Sequence, residues 1–103
     1  MAVLAPFITA GEKDVKIDDT CSVFLKKELV PTKEIYNRHI RWLEEEVLKN
    51  DSQSRLELTS FIERIECMYE AELSKEALLK VRQREDVELV CENFVRKGEK
   101  QLL

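Results

Sequence analysis

The chain has 103 residues, of which 44% are hydrophobic and 37% charged, with a formal net charge of −4 and only two glycines and two prolines. Its length favours a single domain. An acidic balance with bases spread along the chain argues against a nucleic-acid binder, which gathers Lys and Arg to neutralise phosphates. Few breakers and abundant Leu, Glu and Lys predict helices with solvated outer faces. The expected class is therefore all-α: a small helical bundle with coiled-coil-like packing. It is built on an antiparallel helical hairpin at about 33–49 and 54–73, with a short N-terminal helix, one or two C-terminal helices and an extended N-terminal arm.

Residues 1–19 read as the apolar arm. The run from Met1 to Ala10 superficially resembles a secretion signal, but no basic residues precede it and Pro6 interrupts it. Phe7-Ile8-Thr9 and Val15-Lys16-Ile17 flank Ala10-Gly11-Glu12-Lys13, which allows a short hairpin. The helical domain is expected over 20–98 and a tail over 99–103.

A first helix is expected after Asp18-Asp19-Thr20, all good N-cap types, with Cys21, Phe24, Leu25 and Leu29 on one face and Pro31 as its stop. Thr32 is the natural cap of a second helix running to about Lys49. Its stripe is Tyr36, Ile40, Leu43 and Val47, spaced four, three, four, with Glu34–Arg38 and Glu45–Lys49 as i,i+4 pairs. Asn50-Asp51-Ser52-Gln53 breaks the pattern, and Ser54-Arg55-Leu56-Glu57 matches a capping box. A third helix then carries Leu58, Ile62, Ile65 and Tyr69, again four, three, four, and the stripe runs on through Leu73, Ala77 and Val81. It lapses near Arg84, so the chain is expected to bend at Arg84-Glu85-Asp86, with Asp86 capping a final helix of Val87, Cys91, Phe94 and Val95. One continuous helix with a polar waist is the alternative. Arg96-Lys97-Gly98 makes a good helix ending.

No residue set demands chemistry. Cys21, Cys67 and Cys91 are too far apart for a Cys-x-x-Cys pair, and their odd number argues against a disulfide scaffold and for a reducing, cytoplasmic setting. His39 is the sole histidine. It lacks the neighbours of a hydrolytic triad and the Glu-x-x-His pairing of a di-metal bundle. Gly11 and Gly98 stand alone, so no phosphate loop is formed. Glu44-Glu45-Glu46 splay around a helix as a solvated face. The basic residues Lys80, Arg82, Arg84, Arg96, Lys97 and Lys100 are interleaved with acids. Catalytic residues, metal ligands, cofactors, a small-molecule substrate and membrane insertion are therefore not expected.

What remains is surface for a protein partner. Ile35, His39 and Trp42 form a ledge that widens the second helix's apolar face, and Trp is enriched where binding energy concentrates. Leu56 and Cys67, with Ala71, fall nearly opposite the third stripe as a second contact face. The expectation is a non-enzymatic protein–protein interaction module, a subunit of a larger assembly or a homodimer. Two alternatives are a small nucleic-acid regulator with a helix-turn-helix-like C-terminal element, and an acidic inhibitor or immunity-type protein masking a basic enzyme site.

Overall fold

The structure, a computed structural model, describes residues 4–9, 11 and 14–96. The expected helix stop at Gly98 and the tail 99–103 lie outside the described residues, as do residues 1–3 of the arm, residues 10, 12 and 13 of its turn, and the bases Lys97 and Lys100. Five strands are present: β1 (Phe7–Ile8), β2 (Asp14–Leu25), β3 (Arg55–Ile62), β4 (Glu66–Glu72) and β5 (Val87–Arg96). Helix α1 (Lys33–Trp42) continues as a π-helical stretch (Leu43–Leu48), and α2 (Lys75–Arg82) joins β4 to β5. The strands form one sheet in the order β1-β5-β2-β4-β3. β2 is antiparallel to both β4 and β5, β3 is antiparallel to β4, and β1 adds to β5 in parallel. From β2 onward the chain runs β-α-β-β-α-β with β4 inserted between β2 and β3, the split β-α-β arrangement of ferredoxin-like domains.

The all-α helical bundle and its coiled-coil packing are thus overturned. The expected N-terminal helix is the second half of β2. There Cys21, Val23 and Leu25 alternate with Ser22 and Phe24 and are buried, while the alternates are half-buried, the period of two that marks a strand. The expected helix at 54–73 is the β3–β4 hairpin, in which Phe61 faces Cys67 and Ile62 faces Glu66. The expected capping box at Ser54 caps nothing. Its hydroxyl donates to Asp51 (2.9 Å) and accepts from the Ser74 N–H (2.9 Å). The bend at 84–86 is real, but Asp86 leads into β5, not a final helix.

The second helix forms where the sequence puts it. Thr32 caps it by accepting from the Ile35 N–H, Glu34 and Arg38 pair at 3.3 Å, and Tyr36, Leu43 and Val47 are buried. Within the π stretch the Lys49 N–H reaches back to the Glu44 carbonyl (3.0 Å), and Glu44-Glu45-Glu46 are exposed. Ala77 and Val81 are the buried stripe of α2, which Ser74 caps through the Ala77 N–H (3.2 Å). Both helical stripes join Val23, Leu25, Tyr69 and Val90 in a single cluster. All four are on one face of the sheet, so both helices pack on that face.

The described part of the N-terminal segment joins the edge of the sheet and does not form the hairpin the sequence allowed. β1 pairs with β5 (Phe7 with Val90, Ile8 with Cys91), while Val15 and Lys16 pair elsewhere on β5. Ala5 is buried. Its N–H donates to the Arg82 carbonyl and its carbonyl accepts from Arg82 Nε, both at 2.8 Å.

Tyr36 ties α1 into the sheet. Its hydroxyl donates to the Met68 carbonyl and accepts from the Ser60 N–H (3.1 Å), so one phenol occupies a rung between β3 and β4. Tyr36→Phe should leave a buried donor and acceptor without partners and cost roughly 2–3 kcal/mol in urea unfolding. The hairpin turn places Arg64 in the left-handed region at φ 66°, which strains any residue with a Cβ. Arg64→Gly should therefore raise stability by up to about 1 kcal/mol, read as a higher denaturation midpoint at unchanged slope.

Candidate protein-binding surface

The residues singled out from the sequence are drawn into the domain. His39 and Cys67 are buried, at 1% and 3% exposure, while Ile35, Trp42 and Leu56 are half-buried and packed against the core. The Cys67 thiol donates to the Val30 carbonyl at 3.4 Å. His39 and Trp42 do come together, with ring centroids 5.3 Å apart. Leu56 and Cys67 are on neighbouring strands but form no outward face, because both point toward the helices.

His39 sits in a hydrogen-bonded chain that the sequence did not announce. Its Nδ1 lies 2.9 Å from Asp86 Oδ2 and its Nε2 lies 3.0 Å from the Tyr69 hydroxyl. The tautomer that satisfies all three groups has Nδ1–H donating to Asp86 and Nε2 accepting from Tyr69. Arg84 grips the same carboxylate twice, at 3.0 and 3.1 Å, and stacks its guanidinium 4.3 Å from the centre of the Trp42 ring. Burial alone would raise the Asp86 pKa. The hydrogen bonds from His39 and Arg84, with the Arg84 charge, outweigh it and hold the carboxyl far below its ordinary range. Burial, with the Asp86 charge nearby, pushes the Tyr69 phenol far above its usual value, so it stays protonated.

An acid–histidine–hydroxyl order invites comparison with a nucleophilic triad. Here the hydroxyl belongs to a residue with no exposed surface and the imidazole is sealed beside it, so no substrate atom can reach either. The chain is a buried polar clamp joining α1, β4 and the turn before β5. Asp51 is likewise structural: it accepts from the Ser74 and Ser54 hydroxyls and the Gln53 N–H, which lower its pKa. Among the described residues no group of three His, Cys, Asp or Glu side chains is placed to hold a metal ion, and no helix is long and apolar enough to cross a membrane.

The open surface is the other face of the sheet. Alternation from the buried set puts Ser22 and Phe24 of β2, Met68 and Glu70 of β4, and Leu89 and Cys91 of β5 on it, because these are the cross-strand partners of one another. β3 adds Leu58, Ser60 and Ile62, opposite Glu70, Met68 and Glu66. None of these belongs to the cluster beneath the helices. One end is polar: Asn93 accepts from the Ser22 hydroxyl (2.8 Å) and donates to Thr20 and Glu70 (2.5 and 3.1 Å). The other end is apolar, with half-buried Phe24 and Leu89 around Met68, itself buried, and Ile62 at 49% exposure. Leu58 is 50% exposed. Carboxylates border the face at Glu57, Glu66, Glu70 and Glu72, and Arg55, the base beside them, pairs with Glu57 and Glu72. The sequence signal for this face is the alternation over 20–25 and 66–72, which a helical reading conceals.

The clamp predicts a pH dependence. Unfolding returns Asp86 to an ordinary carboxyl value of about 3.9, so in the acid range the unfolded state binds the extra proton. The stabilisation is complete above roughly pH 5 and drains away as pH falls below that value toward the depressed folded one. Asp86→Asn should cost roughly 1.5–3 kcal/mol at pH 7, and its stability curve should converge with that of the parent as the solution is acidified. Compared with known proteins, the chain is matched neither by a family model nor by a curated protein.

Proposed function

We propose that this protein is a non-enzymatic interaction module, a subunit of a larger assembly, that docks through its bare sheet face onto a partner surface with an apolar centre and a basic margin. One observation carries the reading: an antiparallel sheet whose helices cover only one side leaves Phe24, Leu58, Ile62 and Leu89 together on the other, bordered by carboxylates. Burying such side chains contributes about 25 cal/mol per Å² removed from water, and an apolar core within a charged rim is the usual anatomy of a protein interface. The absence of an enzymatic role is supported by the sealing of the one histidine in the clamp. A reducing, cytoplasmic setting is part of the proposal, supported by the free thiols of Cys67 and Cys91.

A second reading, an acidic inhibitor that masks a basic enzyme site, is favoured by the excess of Glu57, Glu66, Glu70 and Glu72 over Arg55 at the same face. The nucleic-acid alternative loses its basis. Its reader helix is strand β5, and sheets that bind single-stranded RNA present stacked aromatics among bases, whereas Phe24 on this face is flanked by Met68 and Leu89 and the face is bordered by carboxylates.

Phe24→Lys and Leu89→Lys place charge at the apolar end of the bare face without touching the core cluster. Each should weaken capture of a partner from the source cell at least tenfold, about 1.4 kcal/mol, with an unchanged far-ultraviolet circular dichroism spectrum. Partners retained equally by both variants, or amide protection on binding that maps to α1 and α2, would sink the proposal.

A further inference from the structure

The two edges of the sheet are treated differently. The β5 edge is covered at Val90 and Cys91 from within the chain by β1, with the Val90 N–H donating to the Pro6 carbonyl at 2.9 Å. The other edge is β3, and among the described residues no strand pairs with its outer side. Sheet edges are normally blunted by Lys, Pro, inward charges or bulges. β3 has a bulge between Leu56 and Leu58, but from Leu58 to Ile62 it reads Leu-Thr-Ser-Phe-Ile, with neither charge nor proline. Thr59 on the helix side is exposed, so the helical layer does not overhang this stretch.

We infer that β3 is a self-association edge, and that two copies of this chain pair antiparallel across it about a two-fold axis through Ser60. The backbone polarity selects this axis. The Ser60 N–H points inward, toward the Tyr36 hydroxyl and β4, so the N–H and C=O groups of Thr59 and Phe61 point outward. A two-fold through Ser60 sets Thr59 of one copy against Phe61 of the other, in the register where the two exchange both hydrogen bonds. It also sets Leu58 opposite Ile62 twice, in the closely spaced non-hydrogen-bonded register. Both side chains are on the bare face and about half exposed. The segment is its own complement under that operation, as a closed two-fold interface requires, and this is why the occupant is a second copy. The paired sheets keep their bare faces on the same side, giving one continuous surface.

The test is sedimentation of the full chain over a concentration series, with cross-linking of Ser60→Cys under mild oxidation. The parent chain, treated alike, controls for native thiols. The expected results are a monomer–dimer equilibrium, rapid disulfide-linked dimer from Ser60→Cys, and dimerisation weakened at least tenfold in Leu58→Lys/Ile62→Lys with an unchanged circular dichroism spectrum. A parent chain that stays monomeric throughout the series overturns the inference. So does a dimer in which Ser60→Cys cross-links no faster than Gln53→Cys, which lies outside the strand.

Discussion

Helical cover is the constraint from which the rest of the structure follows. Five strands at about 4.8 Å spacing make a sheet roughly 20 Å across, and two helices packed side by side at about 10 Å span the same width. α1 with its π extension and α2 therefore cover one face once, and their apolar stripes are used up in doing so. Tyr36, Leu43, Val47, Ala77 and Val81 all sit in the single cluster with Val23, Tyr69 and Val90. The opposite face of an antiparallel sheet can stay in water if its side chains are polar. Here they are polar at one end only.

The helical layer is fixed by polar groups as much as by apolar contact. An apolar stripe tolerates sliding, because Leu and Val have no directional partners. The Tyr36 hydroxyl fits between two particular backbone groups of β3 and β4, and His39 needs Tyr69 on one side and Asp86 on the other. Buried donors and acceptors of this kind are costly unless all are satisfied, and among the described residues no buried side-chain nitrogen or oxygen lacks a partner. The same logic explains Trp42. Its ring carries the Arg84 guanidinium 4.3 Å from its centre and meets the His39 imidazole at 5.3 Å between centroids, so its size is accounted for within the domain.

Helix α1 with its π extension was legible in the sequence because its stripe mixed intervals of three and four. Tyr36, Ile40, Leu43 and Val47 satisfy a period of 3.6 and cannot satisfy a period of two, and Thr32 supplied the boundary. The strands were misread because an interval of four fits both periods. Cys21 and Leu25 are four apart and share a strand face, and so are Leu58 and Ile62. The apparent three-residue step to Ile65 crosses a turn, and Tyr69 beyond it belongs to the opposite face of the next strand. That turn, Glu63-Arg64-Ile65, contains no Gly, Pro, Asn or Asp, so the usual punctuation of a hairpin was missing, and the bulge at Leu56/Leu58 broke the alternation of β3. The clamp was beyond sequence reasoning for another reason: His39, Tyr69 and Asp86 are separated by 30 and 47 positions along the chain, and only the topology unites them.

A bare face with apolar residues needs some defence against indiscriminate sticking, and the distribution of polar groups provides it. Ser60 donates to Glu66 and Asn93 binds Thr20 and Glu70, so the polar side chains of the face are hydrogen-bonded to one another while keeping carboxylate charge at the surface. A partner lacking compensating bases would strip water from Glu66 and Glu70 without replacing it, and that penalty works against binding far more than an exposed Leu works for it. Apolar area at Phe24, Leu89 and Ile62 thus supplies affinity, and the neighbouring carboxylates decide which surfaces can collect it.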